Sequence, residues 1–361
     1  MRLRMKHLDR YVLAEILVPW VVGLAAFVVM ITGHMLFTVV DQIVQHGVGM
    51  PSVLKFMALQ VPFALTLSLP AATLLATSLA LNRLASENEL TAMRAAGISL
   101  TRLLAPVLGV GLLASGAALV LGQWAVPWSN HQAQMLLQGV IAQRPVLVFR
   151  PGKFTHTEAG LDFFAESVDR AQGQLGNLYV FQRSGAEAPR LLWAPSATFG
   201  DRDLRLSPGY FYQFTPGGSL TWGQTLGGIR ASMGALLFSP GLMAKQTGDL
   251  SLGELLTRRA QLEAEHPGAG RPYSVELHWR IALAFSCLVF ALLALPVTLS
   301  FARGQSLVGV LATLLMVFGY YVVMLWVRMA TEVGPLSPLL GAWLENGVLV
   351  MVALALLARR R

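Results

Sequence analysis

Between Ala85 and Arg102 the chain reads ASENELTAMRAAGISLTR, a polar island that carries Ser86, Glu87, Glu89 and Arg94 between apolar stretches. Ser86 with Glu89 three residues on has the spacing of a capping box, in which hydroxyl and carboxylate each satisfy an amide at a helix start. Gly97 stands where a helix stop is expected, and the residues between are good helix formers. The spacing predicts a helix over residues 86–97, about three turns long. Its apolar residues Leu90 and Met93 make a stripe too small for a core of its own, so the helix must rest on something. A capped surface connection would explain it, but a plain link between neighbouring helices needs only a few residues. The alternative is a coupling helix that docks into a separate protein.

Bond-making chemistry finds little support elsewhere. Gly152-Lys153 is followed by Phe154 and lacks the upstream glycine of a phosphate loop, so ATP hydrolysis is not expected of this chain. The seven histidines are scattered without metal-ligand spacing, and the single cysteine, Cys287, gives them no partner. No G-x-S-x-G elbow occurs. The chain is expected to be neither an enzyme nor a metalloprotein, and Cys287 alone allows no internal disulfide.

The elements that position the island are hydrophobic. Of 361 residues, 55% are hydrophobic and 13% charged, against about a quarter charged in soluble domains. Six stretches reach the roughly 20 residues that cross a bilayer, namely Ile16 to Val40, Val53 to Leu81, Leu103 to Val126, Trp279 to Ala302, Ser306 to Val327 and Leu336 to Ala358. With six spans, both termini, the Arg94 loop and the FARGQS turn share one side. That side collects Arg2, Arg4, Lys6, Arg10, Arg83, Arg94, Arg102, Arg303 and Arg359 to Arg361, whereas the opposite flanks carry Lys55 and Arg328. The positive-inside rule makes the island and both ends cytoplasmic. The net charge of +8 thus reflects topology, and nucleic acid is not an expected partner.

Between the third and fourth spans lies a long insertion whose aromatic and β-branched runs, such as LDFFAESV, LGNLYVFQR, RLLWAPSATF and LRLSPGYFYQF, are broken by turn residues. This pattern predicts an all-β domain, a sandwich or partly open barrel, on the far side of the membrane. The expected organisation is residues 1–139 with three spans, 140–250 the β domain, 251–278 a return helix and linker, and 279–361 three more spans. Ser251 and Glu254 form a second capping box at the start of the return helix.

Six segments in order resemble one family: LDRYVLAEIL, VVDQ, SENELTAMRAAG, VPWSNHQ, LSLGELL and ELHWRIALAFSCLVFALLALPVTLS are similar to the LptF/LptG permeases of bacterial lipopolysaccharide export. LDRYV and VVDQ look more like LptG, VPWSNHQ more like LptF. The resemblance implies an inner-membrane ABC transporter permease that pairs with a paralogous LptF/LptG-type subunit, two LptB-type ATPase copies and a single-span LptC-type protein. ATP and Mg would belong to the ATPase, with no cofactor in this chain. The complex would extract lipopolysaccharide and pass it to a periplasmic bridge toward the outer membrane. On this chain the resemblance makes Ser86, Glu87, Glu89, Leu90, Met93 and Arg94 the ATPase-coupling helix, the first and fifth spans a lateral gate, and the β domain a jellyroll.

Where some relatives carry lysines after VDQ, this chain has Ile43, Val44, Gln45 and His46. Lys55, Arg280 and Arg328, near the same leaflet boundary, are the substitute candidates for a phosphorylated headgroup, or else interface anchors that snorkel. Phe154, Phe163, Tyr179 and Phe211 are the candidates for a lipid path through the β domain. A second class of function remains open, a membrane-anchored envelope scaffold whose β domain binds proteins without moving lipid.

Overall fold

The computed structural model describes residues 2–46, 49–143, 146, 149, 151–156, 161–169, 172–182, 190–200, 203–214, 220–225, 227–232, 247–301 and 306–359. Arg303 with the rest of its turn, Arg360, Arg361 and the side chains of Arg2, Arg4, Lys6 and Ile43 to His46 lie outside this description. The chain divides into two compact units, one holding most of the helices and the other the strands.

Among the described residues the α-helices are α1 (Arg2–His46), α2 (Met50–Ser86), α3 (Glu89–Ala95), α4 (Leu100–Val120), α5 (Val126–Gln143), α6 (Leu252–Glu265), α7 (Arg271–Phe301), α8 (Ser306–Val333) and α9 (Pro338–Ala358). Among the described residues, six helical stretches are long and apolar enough to cross a membrane: His7–Leu36, Met50–Ser86, Arg102–Leu136, Arg271–Leu299, Val308–Val333 and Pro338–Ala358. The third joins α4 to α5 through a π-helical turn, Leu121–Ala125, which the sequence does not announce.

Small residues let these helices approach closely. Ala72, Ala76 and Ala80 of α2 are all buried, so their stripe is used within the chain. A methyl group at Gly111 of α4 would fall 2.6 Å from the Ala291 Cβ of α7, a contact only glycine permits. α2 and α7 continue through the prolines at 62, 70 and 296 without interruption. Pro70 nevertheless leaves the Thr66 carbonyl without its amide donor, and one residue on the Tyr321 hydroxyl donates to the Leu67 carbonyl at 2.5 Å.

α6 begins as its sequence predicts. Ser251 Oγ accepts from the Glu254 amide at 3.3 Å, and the Ser251 amide donates to the Glu254 carboxylate at 2.8 Å. The Leu252 amide finds the Gln123 side chain of the π turn at 3.1 Å. The linker expected to reach residue 278 is shorter than that, since α7 starts at Arg271 after a turn in which Glu263 accepts from the Gly268 and Gly270 amides.

Among its described residues the second unit holds an antiparallel sheet of eight strands: β1 (Phe154–His156), β2 (Leu161–Asp169), β3 (Gln174–Gln182), β4 (Arg190–Phe199), β5 (Asp203–Leu206), β6 (Tyr210–Phe214), β7 (Leu220–Gln224) and β8 (Ile229–Ser232). β1 to β4 form a meander, and the free edge of β4 is shared: its last residues pair with β5, which pairs with β8, while its first pair with β6, which pairs with β7. Period two sorts the side chains into two faces. Phe163, Val180, Leu192 and Phe211 align on one, whose continuation with Ala165, Leu178 and Ala194 is closed by Phe149 into the core of the unit, which Leu204 of β5 joins. Phe164, Tyr179, Trp193 and Tyr210 align on the other.

Candidate functional site

The polar island sits where α2, α3 and α4 meet, and its local structure differs from the expected capping box. α2 runs on through Ser86, because Leu81 and Leu84 are fully buried and hold its last turn against the bundle. Ser86 Oγ turns back to donate to the Arg83 carbonyl at 2.9 Å, the habit of a serine inside a helix, and caps nothing. The break falls at Glu87 and Asn88, with Asn88 left-handed at φ 61°. Asparagine is among the few residues that adopt this conformation at low cost, and its presence was the sequence signal for the break. Glu89 is therefore the first residue of α3, and the expected three-turn helix over 86–97 is a seven-residue helix over Glu89–Ala95.

Gly97 does what its position predicts. At φ +82° its amide donates to the Arg94 carbonyl at 2.9 Å, while the Ile98 amide donates to the Met93 carbonyl at 3.0 Å. Together these form a Schellman motif.

α3 rests on its own chain. Leu90 is buried in the main helical core and Met93 packs against it, so these two anchor the helix inward. Thr91, Ala92, Arg94 and Ala95 face outward, and Glu87 is exposed beside them. A partner at this site would meet a polar rather than an apolar face.

Both carboxylates are already engaged. Glu87 accepts from Arg83 Nε at 3.1 Å, and Arg83 Nη1 reaches Glu15 of α1 at 2.7 Å. Glu89 accepts from the Tyr11 hydroxyl of α1 at 2.8 Å. One turn into α4, Arg102 Nη2 meets Asp9 of α1 at 2.5 Å. Asp9, Tyr11, Glu15, Arg83 and Arg102 thus hold the island to its neighbouring helices, although the sequence singled out only the arginines, and those for topology. A signal existed: Tyr11 and Glu15 flank Val12 and Ile16 at the same four-residue spacing, and Val12 and Ile16 are fully buried.

The three basic headgroup candidates separate. Arg280 donates to the Leu250, Thr247 and Gly248 carbonyls at 2.6, 3.0 and 2.9 Å and pairs with Glu276 at 2.8 Å. With its side chain 12% exposed, its hydrogen-bonding capacity is spent on pinning the segment before α6 to α7. Arg328 of α8 shares Glu276 at 3.0 Å, pairs with Glu332 at 2.9 Å, and lies 5.7 Å from the Trp279 ring centroid in a cation–π arrangement. It remains 37% exposed, and Lys55 is exposed on α2 with no ion pair or hydrogen bond among the described residues. The structure brings Arg280 and Arg328 together through one carboxylate and leaves Lys55 apart.

The four aromatic candidates fall on opposite faces of the sheet. Phe163 is buried, edge to face with Phe149 at 5.7 Å. Phe211 lies on the same face, in a groove with Leu161, Val180 and Leu192. Phe154 and Tyr179 line a separate groove on the other face with Phe164 and Phe181. That face carries a band of rings that continues through stacked Trp193 and Tyr210, 5.7 Å apart, to Trp222.

Comparison with known proteins adds to this geometry. The profile described as "Lipopolysaccharide export system permease LptF/LptG" matches residues 10–359. The lipopolysaccharide export system permease proteins LptF of Escherichia coli strain K12, of Escherichia coli O157:H7 and of Shigella flexneri are each 24% identical over 313 residues. Each alignment covers 84% of this chain and 81% of the relative.

Proposed function

The chain belongs to the LptF/LptG family of lipopolysaccharide export permeases, and on that premise we propose that it is the membrane subunit of an ABC transporter that extracts lipopolysaccharide from the inner membrane. Family and helices together make it a multi-pass inner-membrane protein and a transport subunit rather than an enzyme. The work would come from an LptB-type ATPase dimer holding ATP and Mg. A paralogous LptF/LptG-type permease and a single-span LptC-type protein would complete the complex.

The observation that carries this reading is α3. A free connection of two turns would be marginal in water, yet here it is stopped by a Schellman motif, seated by Leu90 and Met93, and left with a polar outer face. Such a rigid, outward-facing element suits docking in a charged ATPase groove, with Arg94 and Glu87 on its surface and the second carboxylate oxygen of Glu89 beside them. The termini and α3 would lie in the cytoplasm. The β unit would stand in the periplasm as a jellyroll-like conduit between the third and fourth spans, delivering lipid to the bridge. The outward apolar surfaces of α1 and α8 supply the lipid-facing walls that a lateral gate requires. For the anionic headgroup, Arg328 and Lys55 are the better placed cations, because Arg280 is committed to the chain itself.

The test is co-purification of the chain with its ATPase and measurement of ATP hydrolysis with and without lipopolysaccharide. Retention of the ATPase, turnover that responds to the lipid, and loss of retention in Glu89→Lys are expected. An intact chain that retains no ATPase and whose β unit still captures envelope proteins would instead make it a scaffold.

A further inference from the structure

α1 is weakly held for so long a helix. Beyond Val12, Ile16, the packing of Trp20, Leu24 and Phe27 against the bundle and the bond from Trp20 Nε1 to Thr73 Oγ1 at 3.1 Å, much of its surface is exposed, including Leu17, Val18, Val21, Val22, Val29 and Met30. An element with few buried contacts is one whose position a small number of polar bonds can decide. Three such bonds gather at one end: Asp9 to Arg102 of α4, Glu15 to Arg83 of α2, and Tyr11 to Glu89 of α3. Of the three, only the last ties α1 to the short helix itself. Arg83 also holds Glu87, so the residues on both sides of the Asn88 break are connected to α1, one directly and one through a guanidinium.

We propose that Tyr11 is a positioning residue for coupling: its hydroxyl, by holding the Glu89 carboxylate, makes α1 and α3 move as one body, so that displacement of α3 by an ATPase is delivered to α1. The proposal rests on the reading of α3 as the coupling helix, and it gives Glu89 two separable tasks. One carboxylate oxygen serves the tie within the chain and the other is left for a partner. Exposed ion pairs such as Glu15 with Arg83 contribute little individually. The Tyr11 bond is exposed too and adds little stability, but a hydroxyl on a carboxylate is directed and charge-assisted, and that gives it its place in setting the geometry.

Two conservative substitutions separate the tasks. Tyr11→Phe removes the tie and leaves the Glu89 charge; Glu89→Gln removes the charge and leaves a carbonyl oxygen that can still accept from Tyr11. Both are examined in the complete complex in proteoliposomes containing lipopolysaccharide. The readouts are ATPase retention, lipid extracted per ATP hydrolysed, and the nucleotide-dependent distance change between spin labels at Val29 on α1 and Met351 on α9. Tyr11→Phe is expected to retain the ATPase at wild-type level, to lower lipid extracted per ATP about threefold or more, as loss of one hydrogen bond allows, and to abolish the distance change. Glu89→Gln is expected to lose ATPase retention and, in the fraction still assembled, to keep the distance change. A Tyr11→Phe complex with wild-type lipid per ATP and an unaltered distance change overturns the proposal. So does loss of ATPase retention in Tyr11→Phe, which would assign the hydroxyl to docking. Full retention in Glu89→Gln counts against the docking contact alone and leaves the Tyr11 result to decide the tie.

Discussion

Single side chains here are read correctly only with their partners in view. Ser86 and Ser251 share the same spacing to a glutamate, yet one bonds back into a continuing helix and the other starts a new one. Ser251→Ala is expected to cost about 1 kcal/mol of local stability in α6, whereas Ser86→Ala should stay within about 0.5 kcal/mol. Hydrogen exchange of the first turns of α3 and α6 measures both, and equal losses would mean that Ser86 is a cap after all. Arg280 offers a sharper contrast. Arg280→Gln strands three carbonyls and leaves Glu276 to Arg328 alone, and should destabilise the helical unit by about 3 kcal/mol. The partly exposed Arg328→Gln should cost about 1 kcal/mol or less. Thermal unfolding in detergent ranks the two, and the reverse order would free Arg280 to serve a headgroup.

At the scale of elements, the sheet divides its aromatic residues between two faces that have different surroundings. The Phe211 groove adjoins the closed core through Leu161, Val180 and Leu192, with Phe211 itself 41% exposed, whereas the band from Phe154 to Trp222 lies away from that core and is open at its ends, with Phe154 54% and Trp222 65% exposed. An acyl chain withdrawn from water belongs against the groove that adjoins the closed apolar core, because the gain scales with apolar area buried on both partners. Photo-crosslinking probes in the working transporter should therefore give ATP-dependent lipid adducts at Phe211 and none at Phe154 or Tyr179. Adducts confined to Phe154 and Tyr179 would move the path to the open face. A probe at Phe163 should be silent in either case, since that side chain is enclosed by the unit's own core.

For the molecule as a whole, the charge asymmetry of the helix flanks makes sidedness the most exposed prediction. A reporter inserted at Ser99, just after α3, should read cytoplasmic, and one at Gly173, in the turn between β2 and β3, periplasmic. The same side for both would remove the transport topology altogether. Legible in the sequence alone were the long apolar helices found among the described residues, the positions of most strands, the capping box of α6 and the stop at Gly97. Each of these follows from composition or spacing within a few neighbouring residues, and such local rules act wherever the segment lies. The tertiary structure alone decided that α2 runs through Ser86, that Arg280 is consumed by backbone carbonyls, that Phe163 and Phe154 face opposite ways, and that Glu89 meets Tyr11 across 78 positions of chain. Those outcomes depend on which side chain from a distant element arrives at a given donor or acceptor. Neither helical nor strand periodicity carries that information, because it is fixed only when the buried faces pack.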